Sequence, residues 1–362
     1  MGFSKVIKHL FLLASLVVFA PPSAVLASSL TVESIPQSDV LSTWFNKRVV
    51  VFGVEVVGSS SVTDAKILHA ASVTAEYLDG NEDGVADQPA VVAAMVNRKA
   101  TLVMFRDVNQ LESSGIFDTN ALDDRFMQDC LGNETNPSDG FDASLEEVLH
   151  LVHTAGFAPV YPALRTVRGS ALSNAMDTAR GGYFNGTPNQ YPASSWYHYD
   201  DETCEYDCHV AEYFYWGLTS WLGAQGGRCD EINHEWEPCT AALLTATDPM
   251  LQALLTDPLY GLPTRIPDGN YVIGSQGICG NGNVEAGEQC DDGNLNATGS
   301  SCCTKSCAYK PDGAASCDGN LCTRTDICSA GVCLAGLCAA GAPCSVCGGT
   351  CIAQAGACEC QY

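Results

Sequence analysis

The chain has 362 residues and carries 42 acidic against 17 basic side chains, a formal net charge of −25. So acidic a surface argues against nucleic acid and anionic membranes as partners, because both repel it. The length is enough for one sizeable hydrophobic core with residues to spare.

In chain order, Lys5 and Lys8 precede an apolar run from Leu10 to Ala20, and Val25 and Ala27 follow. That layout predicts a secretory signal peptide, residues 1–27, cut after Ala27. The run is shorter than the roughly 18 residues a membrane helix needs, and no later stretch reaches that length. The expectation is a secreted, extracellular protein with no transmembrane segment.

The chain has 20 cysteines, which in an exported protein imply disulfides. Five of them (Cys130, Cys204, Cys208, Cys229 and Cys239) lie before residue 279, and the other fifteen fall between Cys279 and Cys360. Both counts are odd, so at least one thiol is free, pairs across the two regions or pairs with another chain. Asn133-Glu-Thr, Asn185-Gly-Thr and Asn296-Ala-Thr match the glycosylation-acceptor pattern, so an exported glycoprotein is expected if the host modifies such sites.

Residues 28–275 have the texture of an α+β globular domain of mixed sheet and helices. Residues 276–362 read as a small, disulfide-rich, mostly loop module. KRVVVFGVEVVG, starting at Lys47, reads as one buried strand. SVTDAKILHAASVTAEYL and the stretch around Pro89 read as helices, and TLVMFR, from Thr101, as a strand. Helical patterns then dominate, in ASLEEVLHLVHTAGF, ALRTVRGSALSNAMDTAR, HVAEYFYWGLTSWLGA and TAALLTATDPMLQALL.

Two candidate sites fall in the first domain. DGNEDGVAD sets Asp79, Asn81, Asp83 and Asp87 around Gly84, an oxygen ladder suited to calcium. Ala90 stands where an EF-hand needs its bidentate Glu, so the shorter extracellular calcium loops match better. The alternative is an Asp/Gly turn in which Asp87 caps the helix beginning near Pro89.

In SLEEVLHLVHTAGF, Glu146 and His150 share a helix face, with His153 one turn on and Glu147 alongside. This resembles the zincin helix, whose HExxH supplies two zinc ligands and a general base. The resemblance implies a zinc metallopeptidase-like domain with Glu146 and His150 as ligands and Glu147 as catalytic base. His153 is a further ligand candidate. Glu212, in DCHVAEYFYWG about sixty residues on, is the candidate third carboxylate ligand. Two other readings stay open: a di-iron pair of ExxH helices built from Glu147–His150 and His209–Glu212, and an ordinary helix whose acidic first turn complements its dipole.

The tail motif CGNGNVEAGEQCDDGN, with the CC and SCAYKPDGAASC that follow, resembles the disintegrin-like module of ADAM-type proteins and snake-venom metalloproteinases. It is also similar to cysteine-rich repeats of secreted bacterial proteins. The resemblance covers residues 279–322 and implies structural calcium at Asn281, Glu285, Glu288 and Asp291. The chain has Cys-Asp-Asp-Gly where the ADAM pattern has Cys-Asp-Cys-Gly, which leaves the disulfide connectivity open. Two functions follow as expectations. One is a secreted zinc-metallopeptidase-like protein that hydrolyses extracellular proteins or peptides. The other is a non-enzymatic, calcium-stabilised adhesion or matrix-binding protein.

Overall fold

A computed structural model of the chain describes residues 30–138 and 140–273, and beyond them positions 284, 289–292, 301–304, 307–311, 323–324, 327–329, 332–334, 337–338, 350–354 and 357–361. The signal peptide, and Asn281, Glu285 and Glu288 of the tail motif, lie outside the described residues.

The run Lys47–Gly58, expected as one strand, is a hairpin. Strand β1 (Glu33–Ser34) pairs with β2 (Lys47–Val51), which turns back into β3 (Val54–Gly58). Phe52 and Gly53 make the two-residue turn, both at positive φ (50° and 89°), the geometry that matches the twist of the flanking strands. The sequence hides this because Phe52 continues the apolar run through the turn.

Helix α1 (Asp64–Leu78), capped by Thr63, and α2 (Pro89–Asn97) connect β3 to its parallel neighbour β4 (Thr101–Phe105). The short α3 (Val108–Ser114) leads towards β5 (Met127–Leu131), again parallel. The five-stranded sheet therefore runs β1-β2-β3-β4-β5, antiparallel on one side and parallel on the other. All five residues of β4 are buried, as expected of a central strand covered on both faces. Leu102 and Met104 enter the main core with the helices, while Val103 and Phe105 join Leu41, Phe45, Ile116 and Leu122 on the opposite face.

Helix α4 (Ser144–Leu151) lies against β5 and α1, and Tyr77 Oη donates to the Leu145 carbonyl at 2.8 Å. It continues as a π-helical stretch, Val152–Phe157, and ends in the short α5 (Ala158–Val160). At Gly156 the helix approaches α2 so closely that a Cβ would sit 2.6 Å from Val91 Cγ1. The helical pattern expected over residues 163–180 narrows to α6 (Ala171–Ala179). Then come α7 (Tyr206–Trp221), α8 (Cys229–Ile232), α9 (Ala241–Thr247) and α10 (Pro249–Leu255). The last two were expected as one helix; Asp248 caps α10 at Pro249 and divides them. Gly217 lets α7 meet α10, since a Cβ there would lie 2.3 Å from Leu251 Cδ2.

Disulfides Cys204–Cys208 and Cys229–Cys239 close within this domain, and Cys130 is its one free thiol, buried with Sγ 3.3 Å from Thr135 Oγ1. The tail has Cys290–Cys303 and Cys302–Cys328. Its described strands form three small antiparallel pairs, β6 (Thr323–Arg324) with β9 (Leu337–Cys338), β7 (Ile327–Ser329) with β8 (Val332–Leu334), and β10 (Thr350–Gln354) with β11 (Ala357–Gln361). Among the described residues, no helix is long and apolar enough to cross a membrane.

Candidate metal centre

Helix α4 divides its residues by face. Leu145, Val148, Leu149 and Val152 enter the core, a spacing of three and four that places Glu146 and His150 together on the other side. Asp142 fixes the start of the helix, its Oδ1 accepting from Ser144 N at 3.1 Å and Ser144 Oγ at 2.7 Å. Helix α7 crosses α4 and carries Glu212, more than sixty residues away in sequence, to the same point.

His150 Nε2 lies 3.2 Å from Glu212 Oε1 and 3.8 Å from Glu146 Oε1. One ligand atom from each of the three residues falls within 4.8 Å of the others, and among the described residues this is the one such cluster of His, Cys, Asp and Glu. His150 Nε2 and Glu212 Oε2 are buried without a well-formed hydrogen bond, an arrangement relieved by a cation, or by an imidazole proton facing Glu212. An imidazole with two carboxylates is a donor set for a divalent metal, and its two negative charges neutralise one such ion. Burial pushes the His150 pKa down, but Glu212, Glu146 and Glu147 outweigh it and hold the imidazole well above its ordinary value. The site attracts positive charge.

Glu147 stands beside the cluster without joining it. Its Oε2 accepts from Gln128 Nε2 of β5 at 2.7 Å. Burial, reinforced by Glu146, Asp129 and Glu212 against the opposing pull of His150, pushes its carboxyl up to about 8. Behind Glu146, the buried Tyr215 hydroxyl accepts from Gln225 Nε2 at 3.2 Å. Burial, then the Glu146 charge, holds that phenol well above its ordinary pKa. Tyr199 is likewise raised by burial and by the charges of Glu212 and Glu146.

The structure therefore brings together Glu146, His150 and Glu212, with Glu147 adjacent. It does not bring His153 to them. That ring stacks on Phe214 with centroids 4.1 Å apart, its Nε2 sits 2.8 Å from the Leu164 carbonyl oxygen, and burial pushes its pKa down to about 4. One turn of helix past His150 points the side chain into the core rather than the cluster. His209 is also elsewhere, with Nε2 3.1 Å from Thr187 Oγ1, so the paired ExxH arrangement is not formed.

Gln128 and Tyr215 were not among the sequence candidates. MQDCL lacks a strand-like run, and only its alternation of Gln128 and Cys130 towards the helices marks the face. Tyr215, three residues beyond Glu212 on α7, sat in an aromatic stretch that reads as core.

The loop Asp79–Asp87 is closed by its own backbone. Asp79 accepts from Asp83 N at 3.2 Å, Gly84 N at 2.9 Å and Tyr271 Oη at 2.6 Å. Asp83 accepts from Val85 N at 2.7 Å, and Asn81 Oδ1 from Asp83 N at 3.1 Å. Asp87 accepts from Gly80 N at 2.8 Å, while Gln88, not Asp87, occupies the cap position of α2. Burial and neighbouring carboxylates raise the pKa of both Asp79 and Asp87. In the tail, Asp291 is buried.

No family model matches the chain, and no solved structure matches it.

Proposed function

We propose that the chain is a secreted zinc-metallopeptidase-like hydrolase of zincin-like architecture. Its metal ligands are Glu146, His150 and Glu212, and its general base is Glu147. The observation that carries this reading is the convergence of three ligand atoms from α4 and α7, two of those residues bearing buried, unbonded polar atoms. Beside them stands the half-buried Glu147 carboxylate, held by Gln128 rather than by the cluster.

A divalent cation held there supplies Lewis acidity, which acidifies water and polarises a carbonyl oxygen. Glu147 takes the proton from the attacking water and passes it to the departing amine nitrogen as the peptide C–N bond breaks. Its raised pKa suits a group that must hold that proton between the two transfers. Gln128 fixes one carboxylate oxygen and leaves the other for the proton. Tyr215 steadies the Glu146 carboxylate from behind, as outer-shell partners of metal ligands do. The oxygen ladder at Asp79, Asn81, Asp83 and Asp87 is proposed to take calcium, which relieves repulsion among its carboxylates.

The test compares purified wild type with Glu147→Gln, Glu212→Gln and His150→Ala after dialysis against trace-metal-free buffer. Wild type and Glu147→Gln are expected to hold one zinc, and the two ligand variants to lose it. Against a broad peptide library, Glu147→Gln is expected to lose roughly 10²–10⁴-fold in turnover. Absence of bound transition metal in wild type would overturn the site. Bound zinc with no cleavage of any peptide would leave the non-enzymatic binding protein as the better reading.

A further inference from the structure

Two cavities meet at the metal cluster's side of the domain. The nearer, about 230 Å³, is lined by His150 and Glu212 at one end and by Phe126, Gln128, Thr154 and Thr166 beyond them. The farther, about 340 Å³, shares Thr154 and Thr166 and is flanked by Arg98 and Arg165. The two form one cleft leading away from the metal ligands.

The far cavity departs from the character of the whole chain. Acidic side chains outnumber basic ones 42 to 17, yet no acid lines it. Several described basic residues have a carboxylate partner, as Lys47 has Asp64, Arg125 has Glu55 and Arg228 has Glu231. Arg98 and Arg165 form no ion pair among the described residues. Arg98 is instead held by the domain itself, its Nη1 donating to the Thr154 carbonyl at 3.3 Å and its guanidinium standing 5.8 Å from the Phe126 ring centroid. Phe126 and Thr154 both line the near cavity, so this arginine is tied to the wall of the cleft. Asp207, at the start of α7, lines the near cavity, where it repels an anion. Negative charge on a bound chain is therefore disfavoured beside the metal ligands and favoured one cavity farther on.

We propose that the substrate is a peptide bearing an acidic residue at the position that occupies the Arg98–Arg165 cavity, with its carboxylate received by the two guanidinium groups. This rests on the hydrolytic reading of the Glu146–His150–Glu212 site. Guanidinium forks match carboxylates in geometry as well as charge.

Quenched-fluorescent peptides carrying Glu, Gln or Lys at each position around the scissile bond test it with the zinc-loaded full chain. Glu at one position should raise kcat/KM over Gln roughly tenfold, the scale of one charge-assisted hydrogen bond. In Arg98→Glu/Arg165→Glu that preference should vanish or pass to Lys, while cleavage of an all-neutral peptide is retained. Because both arginines are exposed, the variant keeps its core, and retained zinc checks this. Equilibrium binding of the same peptides to zinc-loaded Glu147→Gln reads recognition without turnover. A Glu preference in binding without cleavage would sustain the acidic subsite and overturn the hydrolase. Equal binding of Glu and Gln peptides, or a preference that survives the double charge reversal, would overturn the subsite.

Discussion

His150 and Glu147 both hold a proton more tightly in the folded chain than their free side chains do. Glu147 is raised from 4.5 to about 8 by burial, and His150 is raised above 6.5 by Glu212, Glu146 and Glu147 against the opposing effect of burial. In both cases the folded chain binds a proton more tightly than the unfolded chain does. Stability from that proton is fully present below the unfolded pKa and is lost as pH rises through the folded one. For Glu147 the loss runs from about pH 5 to pH 8, and for His150 it begins above pH 6.5. A bound divalent cation replaces the imidazole proton, so its contribution should grow as pH rises. The thermal midpoint of the chelated protein is expected to fall between pH 6 and pH 9, and the gap opened by zinc to widen over the same range. Glu76, pushed up to about 7 by burial, acts in the same direction, so the contribution of the site is the part that flattens in His150→Ala. A chelated protein whose midpoint holds steady or rises with pH would contradict the assignment of these protons.

At the scale of elements, the sequence exposed what is local and hid what depends on packing. The helix Ser144–Leu151 and its Glu146/His150 face were legible because 3.6-residue periodicity alone places them. Glu212 was legible as a candidate because it stands on a helical stretch about sixty residues on, where the zincin resemblance implies a third carboxylate. His153 was misplaced because periodicity takes no account of what waits across the next turn, here Phe214 and the Leu164 carbonyl. The π-helical turns at Val152–Phe157 carry no sequence mark of their own beyond Gly156, whose small size is explained only by Val91 and Met95 of α2. Strand β5 and the Phe52–Gly53 turn were hidden for the same reason, since partner strands decide both.

The loop Asp79–Asp87 is the converse case, a motif plain in sequence whose oxygens the fold has engaged with N–H groups. Each carboxylate oxygen has a second lone pair, so those bonds and calcium are compatible. Removing calcium by dialysis at constant free zinc is expected to lower the thermal midpoint, and Asp83→Asn to remove most of that response. A midpoint indifferent to both would make the loop a self-capped turn.

At the scale of the whole molecule, residues 268–272 form a clasp that ties the chain after α10 back to α1. The segment after α10 returns to α1, where Glu76 accepts from the backbone N–H groups of Asp268 at 2.7 Å, Gly269 at 3.0 Å and Asn270 at 2.9 Å. Tyr271 donates to Asp79, and Val272 N to Glu82 at 3.1 Å. Glu76 is 6% exposed, so without the clasp its carboxylate loses three donors. The three residues of the candidate metal cluster and Glu147 lie before this point, as do the disulfides Cys204–Cys208 and Cys229–Cys239. A chain of residues 28–275 is therefore expected to melt cooperatively and to bind zinc as the full chain does. A chain ending at residue 262 lacks the clasp and is expected to lose on the order of 3 kcal/mol, the scale of a few charge-assisted hydrogen bonds. For a domain of this size that lowers the midpoint by roughly 5–10 °C. Glu76→Gln in the longer chain should reproduce part of the loss. Equal midpoints for the two chains would show that the clasp contributes nothing, and loss of zinc from residues 28–275 would show that the metal centre depends on the cysteine-rich tail.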